Sequence, residues 1–441
     1  MIVSQLIQKK NQPTYKAMGW LMMQELILVI CGLIDITCAN TVSEDAVISI
    51  TMAVLILDFV FNLQYVFCSA LRVTTARYYG VNDKSAVGGT LTAITILAIT
   101  LTVIIVCALG FFGRNLLELF ALTPSQADLA YEYIQARIPG FLIFGITNPM
   151  IRSLEAQGYI SKITKIRLVN LLNVPLSIIL TQFWGVTGIG LACSITEAIE
   201  LPVVYFAFKP YYSKPKMKEF RETFMLGLTY LPESLFSSAI STFSMNLCVR
   251  YLSVTSAVTL QLVEQFYTTF LDLVQASNRY VDIALGQAYG TGDNERTTTV
   301  FDNFKHCYKQ IWLAHIIVVL ITGAVYFNFI AEVESPILAM ILLVVWVLAE
   351  TWGFIAEPLM RACFVFKDVK TIMIGRIAGI ALLQIPVQII ALKLGADMFC
   401  MPICYTISDF LWFAVTYRRY RKLPIYHKSN KCNDANCVNN I

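Results

Sequence analysis

The amino-acid sequence predicts an all-α integral membrane protein, with twelve transmembrane helices in two six-helix lobes related by a pseudo-two-fold axis along the membrane normal. Three observations predict it. The composition is too apolar for a soluble domain, twelve apolar runs carry their cations on alternate sides, and short motifs recur about half a chain apart.

Of 441 residues, 57% are hydrophobic and only 14% charged, and the mean hydropathy is +0.65. Soluble domains carry about 25% charged residues, which excludes a soluble enzyme, a disordered chain and a disulfide-rich secreted module. The natural unit of such a chain is the spanning helix of about 20 apolar residues. Most of the 12 cysteines lie in or beside apolar runs, while Cys432 and Cys437 lie in a polar tail. No spacing matches a disulfide framework or a zinc site, so the cysteines read as reduced thiols.

The apolar runs fall at about 18–40, 46–71, 87–112, 127–151, 168–183, 186–208, 223–249, 255–286, 310–330, 336–360, 371–392 and 396–417. Residues 1–16 are polar, and no short apolar core with a small-residue cleavage site follows. The first run therefore reads as a retained helix and not a signal peptide. With both termini cytoplasmic, 27 of the 33 Lys and Arg fall in inside segments. Arg114, Arg250 and Lys393 fall outside, and Arg137, Arg279 and Arg376 lie within spans. Basic residues stay cytoplasmic during insertion. One missed span would invert every later loop, so this split sets the count and the direction together. The expectation is a multi-pass protein of the cell (inner or plasma) membrane.

Three motif pairs divide the chain. Tyr79-Gly80-Val81-Asn82-Asp83 matches Tyr289-Gly290-Thr291-Gly292-Asp293, at an offset of 210 residues. Pro149-Met150-Ile151-Arg152 matches Pro358-Leu359-Met360-Arg361, and Ser194-Ile195-Thr196-Glu197 matches Thr406-Ile407-Ser408-Asp409, at offsets of 209 and 212. The reading is an N-terminal lobe at 1–208, a basic cytoplasmic linker at 209–222, a C-terminal lobe at 223–417 and a disordered cytoplasmic tail at 418–441. Six spans per half insert in the same direction, a parallel repeat used by transporters with the substrate site between the halves.

The stretches "SALRVTTARYYGVNDKSA" and "VDIALGQAYGTGDNER" resemble the loops after the second and eighth helices of the multidrug and toxin extrusion (MATE) family. "YEYIQARIPGFLIFGITNPMIRSLEAQG", "RLVNLLNVPL", "WGVTGIGLACSITEAIELP" and "LGLTYLPESLF" resemble its fourth, fifth, sixth and seventh helices. The likeness runs in order from about residue 17 to 417. It implies a V-shaped pair of lobes and cation-driven export of amphipathic, often cationic, compounds by alternating access. It also points to an acid in the first helix, where Asp35 stands. In the family, an Asn on the fifth helix precedes an Asp-Pro pair. Asn170 and Pro175 match, but Val174 stands at the Asp, and Cys193 stands at a sixth-helix Thr. Sodium wants several oxygen ligands, so these departures favour a proton as coupling ion, with Asn170 as partner of Asp35.

An ionisable residue inside a span costs about 2.5–3.5 kcal/mol on insertion scales and needs a reason. Glu197 and Glu200, at i and i+3 on the sixth span, share a face, and two carboxylates so close in a dry site do not both ionise cheaply. They join Asp35 and Asn170 as cation-coupling candidates. Glu233 beside Pro232, Glu350 and Glu357 are candidates for a cation or substrate site in the second half. The family's sodium-coupled branch carries an Asp at the place of Glu350. Asp272, Arg279 and Asp282 read as a structural group that pairs within itself, and Arg376 as the neutraliser of a carboxylate.

No Gly-Lys pair exists for a phosphate-binding loop. No nucleophile–base set and no metal-ligand spacing is visible, which argues against an enzyme, a cofactor or a bound metal. The chain reads as a secondary active antiporter for cationic or amphipathic small molecules. Its expected partners are that substrate, the coupling cation and the lipid bilayer, without nucleic acid, and it is expected to work as a monomer. The alternative is a flippase for a lipid-linked sugar with the same two-lobe fold. A flippase groove wants cations for diphosphate, whereas the mid-span charges here are mostly acidic.

Overall fold

The computed structural model describes residues 11–118, 122–331 and 333–426, and among them all regular structure is helical. Ser43 alone separates α1 (Gln12–Val42) from α2 (Glu44–Gly80), capping α2 by accepting from Ala46 N. After α3 (Lys84–Glu118), a capping box between Thr123 and Gln126 opens α4 (Pro124–Ala156). α5 (Ile160–Arg167) passes through a 3₁₀ turn, Leu168–Leu172, into α6 (Asn173–Phe208).

α7 (Met217–Tyr251) runs unbroken through Pro232, beside Glu233. Inside a bundle, neighbouring groups re-satisfy what a proline frees. α8 (Val254–Ser277), a wide turn at Val281–Leu285 and α9 (Gly286–Gly290) lead to α10 (Asn294–Phe329). α11 (Pro336–Ala349) and α12 (Thr351–Val365) meet at Glu350. α13 (Lys370–Gly379), a wide turn at Ile380–Gln384, α14 (Ile385–Lys393) and α15 (Cys400–Tyr420) complete the chain.

Among the described residues, seven helical stretches are long and apolar enough to cross a membrane. One of them, Ile160–Phe208, has 49 residues. At about 1.5 Å per residue that exceeds twice a hydrocarbon core of about 30 Å. Gly185, at φ +54°, breaks it in a left-handed conformation that glycine adopts cheaply. The chain divides into two compact units, one of residues 23–228 and one of residues 11–22 with residues 229–426.

The backbone repeats. Of seven described residues with positive φ, six pair across the halves at offsets of 209 or 210: Asn82 with Gly292, Gly158 with Lys367, and Gly185 with Gly395. The seventh, Lys209, ends α6 at the linker. After the first pair an aspartate caps the next helix both times. Asp83 Oδ1 accepts from Ala86 N, and Asp293 Oδ1 accepts from Glu295 N and Arg296 N. Beyond residue 417 the helix continues to Tyr420, Leu423 and Ile425 are buried, and the Tyr426 ring meets Tyr420 at 5.6 Å. The tail expected to be disordered is thus packed as far as Tyr426, because those apolar side chains find cover. Its remainder, with Cys432 and Cys437, lies outside the described residues. Ten cysteines among the described residues carry free thiols.

Small residues let α4 and α6 approach closely. A proline at 139 removes one rung of the α4 ladder. The Ser194 hydroxyl from α6 bridges the next rung, accepting from Gly140 N at 3.1 Å and donating to Ala136 O at 2.7 Å. One turn earlier on α6, a Cβ on Gly190 would meet Tyr133 O at 2.8 Å and Ala136 Cβ at 2.7 Å. Gly190→Ala should therefore lower stability by about 1–3 kcal/mol, the usual cost of overpacking. Gly110→Ala, where a Cβ meets nothing within 4 Å, should leave it unchanged. Melting curves of the two variants in one detergent test this, and equal curves would refute it.

Candidate functional site

The first unit gathers its carboxylates in separate pockets of donors. Asp35 on α1 is buried and accepts from three side chains. Asn173 Nδ2 at 2.9 Å and Ser177 Oγ at 2.8 Å donate to Oδ1, and Cys193 Sγ at 3.3 Å donates to Oδ2. The 3₁₀ turn before α6 sets Asn173 and Ser177 one helical turn apart on the face toward α1. Arg137 on α4 acts on Asp35 electrostatically. Its Nη1 donates to Tyr133 OH at 3.1 Å, and its guanidinium lies 4.9 Å over the Phe141 ring.

Asn170 does not serve Asp35, contrary to expectation. Its Nδ2 donates to Glu200 Oε1 at 3.5 Å, on the far side of the 3₁₀ turn. Glu200 also takes Arg167 Nε at 3.3 Å. Glu197, one turn before it, has a buried Oε2 without a hydrogen-bond partner and interacts electrostatically with Glu200 and Arg167. Deeper toward the α2 and α4 ends, the fully buried Glu155 holds Arg152 at 3.1 Å and Arg72 at 3.9 Å. Cys193, standing where the family has a threonine, serves Asp35 with a thiol donor where no oxygen ligand stands.

The second unit instead encloses a cavity of about 230 Å³. Glu233, Glu350 and Glu357, three separate candidates in the sequence, all line it, with Asp409, Arg361 and Arg376. Arg376 Nε stands 2.8 Å from Glu233 Oε1, and its guanidinium lies 3.8 Å over the Trp412 ring. Arg361 Nε donates to Glu357 Oε1 at 2.8 Å, and its Nη1 donates to Asp282 Oδ2 at 3.4 Å. Asp282 thus takes a cation from α12. An aromatic wall completes the cavity, with Phe354 stacked between Tyr308 at 4.2 Å and Trp312 at 4.0 Å. Sequence reasoning missed Asn173, Ser177 and Arg137 as neighbours of Asp35, and Asp409 as a site residue. The signal for Asp409 was its repeat partner Glu197.

Residues 21–179 match the MatE family model. A MOP superfamily transporter from Pyrococcus furiosus has the same fold at a TM-score of 0.81 and 15% identity, over 95% of this chain and 96% of that one. The Vibrio cholerae MATE transporter VcmN in its bent form matches at 0.79 and 13% identity, over 96% and 99%. The eukaryotic MATE transporter AtDTX14 matches at 0.77 and 14% identity, over 97% and 99%. No curated protein matches the chain by sequence. The resemblance read from the sequence is matched by the fold: the chain has the MATE transporter fold, with seven described helical stretches long and apolar enough to cross a membrane.

The buried Arg167–Glu200 pair yields a prediction. Removing one partner of a buried ion pair costs about 3–5 kcal/mol, because the other charge is left alone. Arg167→Met should sharply reduce the heat resistance of the purified chain, and adding Glu200→Gln should restore most of it. Size-exclusion profiles after a heating series measure this. A double variant no better than the single one would refute the pairing.

Proposed function

We propose that this chain, with the MatE family in residues 21–179 and the MATE fold over its length, is a secondary active antiporter. It exports cationic or amphipathic small molecules across the cell membrane by alternating access, both termini being cytoplasmic. The observation that carries this reading is the cavity of the second unit, where four carboxylates face two arginines beside an aromatic wall. A net acidic cavity draws cations, and aromatic faces bind them by cation–π contact. The same balance disfavours a lipid-linked diphosphate and hence the flippase reading.

Twelve spans in two lobes are part of the proposal. The seven apolar stretches become eight when Ile160–Phe208 is divided at Gly185, and α4, α7, α8 and α15 make twelve. Those four carry the acids and arginines that lower their hydropathy. The paired left-handed residues support a duplication.

The coupling ion in this reading is a proton, and Asp35 is the titrating group of the first half. Three donors converge on its two oxygens. A sodium ion would have to displace them, whereas a proton needs only one donor to turn away. Glu197 and Glu200 are its nearest acidic relatives on α6.

Asp35→Asn should abolish gradient-driven export of at least one lipophilic cation while leaving insertion and melting intact. Uptake into inverted vesicles, with a proton or a sodium gradient imposed alone, measures it. Transport driven by sodium at equal pH and insensitive to a protonophore would overturn the proton assignment. No export across a broad panel of cations, with insertion verified, would overturn the antiporter reading.

A further inference from the structure

At one end of the second unit three helices converge on a thiol. Cys248 lies in the last turn of α7 and is fully buried. Gln388 of α14 reaches it through Nε2, which donates to Cys248 Sγ at 3.2 Å and to Ser244 O, one turn back on α7, at 3.0 Å. From α15 comes Cys400, whose thiol meets that of Cys248 within hydrogen-bonding reach. Cys404, one turn further along α15, is also buried and interacts electrostatically with Cys248. Ser244 Oγ and Gln388 Oε1 are buried here without a hydrogen-bond partner among the described residues. Hydrogen bonding alone therefore leaves this junction incompletely tied.

Elsewhere the thiols serve as donors to oxygen, Cys193 to Asp35 and Cys31 to Asn170 O. At this junction two thiols 152 residues apart in sequence face each other, and the Gln388 amide holds one sulfur in place. Among the described residues no group of three or more His, Cys, Asp and Glu is arranged to hold a metal ion, which leaves the chemistry of the thiols themselves. Cys400 opens α15 and shows 7% of its surface, against none for Cys248. A reagent therefore meets Cys400 first. In the twelve-span topology proposed above, the end of α7 beside Arg250 and the start of α15 after Lys393 both lie at the outer face. Disulfides form and persist on that side of a membrane, whereas the cytosol keeps thiols reduced.

We propose that Cys248 and Cys400 form a reversible disulfide, a redox-modification site that fastens the outer end of α7 to that of α15. The oxidant is itself a disulfide, of a small thiol or of a thiol oxidoreductase. The Cys400 sulfur, as thiolate, attacks one sulfur of the oxidant, whose S–S bond breaks and whose other half leaves as a thiol. Cys248 then attacks the Cys400 sulfur in the mixed disulfide, and the second half leaves as a thiol. The two protons of the protein thiols end on the two leaving groups. The chain loses two electrons and the oxidant gains them. The new bond closes a loop of about 150 residues, and a cross-link over so long a loop removes much of the freedom of the unfolded chain. It also joins two walls of the cavity, since α7 carries Glu233 and Ser237 and α15 carries Asp409 and Trp412. Only the side from which the oxidant arrives rests on the proposed topology.

The test applies oxidised glutathione, which does not cross membranes, to the reduced full chain in sealed vesicles of either orientation and in detergent. Remaining thiols are alkylated after unfolding, and peptides are mapped without reduction. A linked Cys248–Cys400 peptide should form in right-side-out vesicles and not in inverted ones. In detergent the link should raise the melting midpoint by a few degrees, and dithiothreitol should reverse both changes. Cys248→Ser should stop the reaction with glutathione still attached to Cys400. Cys400→Ser should leave Cys248 unmodified, and Cys404→Ser should alter neither the link nor the midpoint. Melting curves of the reduced variants identify any that misfold, and the two single variants guard against misfolding of either one. Full alkylation of Cys248 and Cys400 after oxidation of the folded wild type would overturn the pair, as would a link from Cys248 to Cys404. A link formed only in inverted vesicles would keep the pair and overturn the topology.

Discussion

A carboxylate taken out of water must find donors or a cation, because the effective penalty of burying an ion alone is several kcal/mol. The rest of this structure is arranged around that constraint. In the first unit most of these demands are met locally, Glu197 Oε2 excepted. Three donors surround Asp35, Arg167 answers Glu200, and Arg152 with Arg72 answers Glu155. The 3₁₀ turn at Leu168–Leu172 serves two of these demands at once. It sends Asn170 toward Glu200 while Asn173 and Ser177 face Asp35.

The second unit obeys the same constraint with a different solution. Here α13 also runs into an irregular turn, at Ile380–Gln384, and again places an arginine just before it. There the partner is Glu233 on α7, and an indole covers the guanidinium face. The acids that remain open onto the cavity do so because the cation nearest them is already committed. One scaffold thus answers buried acids with donors and ion pairs in one half and carries an acidic cavity in the other.

Much of this was legible in the sequence, and the limits have physical causes. Composition and periodicity disclosed the helices, because lipid admits few alternatives for a backbone that must satisfy itself. The motif pairs disclosed the repeat, and the paired left-handed residues show that backbone handedness outlasted side-chain identity. Glu233, Glu350 and Glu357 were recognisable as costly charges. That they share one cavity was not, because their helices are brought together only by packing. The partners of Asp35 were misjudged for a related reason. A motif assigns a role to a position, Asn170, while a single irregular turn passes that role to Asn173 and Ser177. The course of α7 through Pro232 was likewise a matter of neighbours and not of the residue itself.

The hydroxyl of Ser194 has a mechanical consequence. A helix normally resists bending with bonds that are all its own, so its stiffness is a private property. Beside Pro139, α4 borrows a rung from α6, and the stiffness of that joint becomes a property of the pair. When the two rods stay in register the joint is rigid. When they slide by a fraction of a residue, the rung loosens without any backbone strain being stored, much as a hinge swings once its pin is drawn. Compliance of this kind is confined to one level of the rod, so the segments above and below it can tilt as stiff arms.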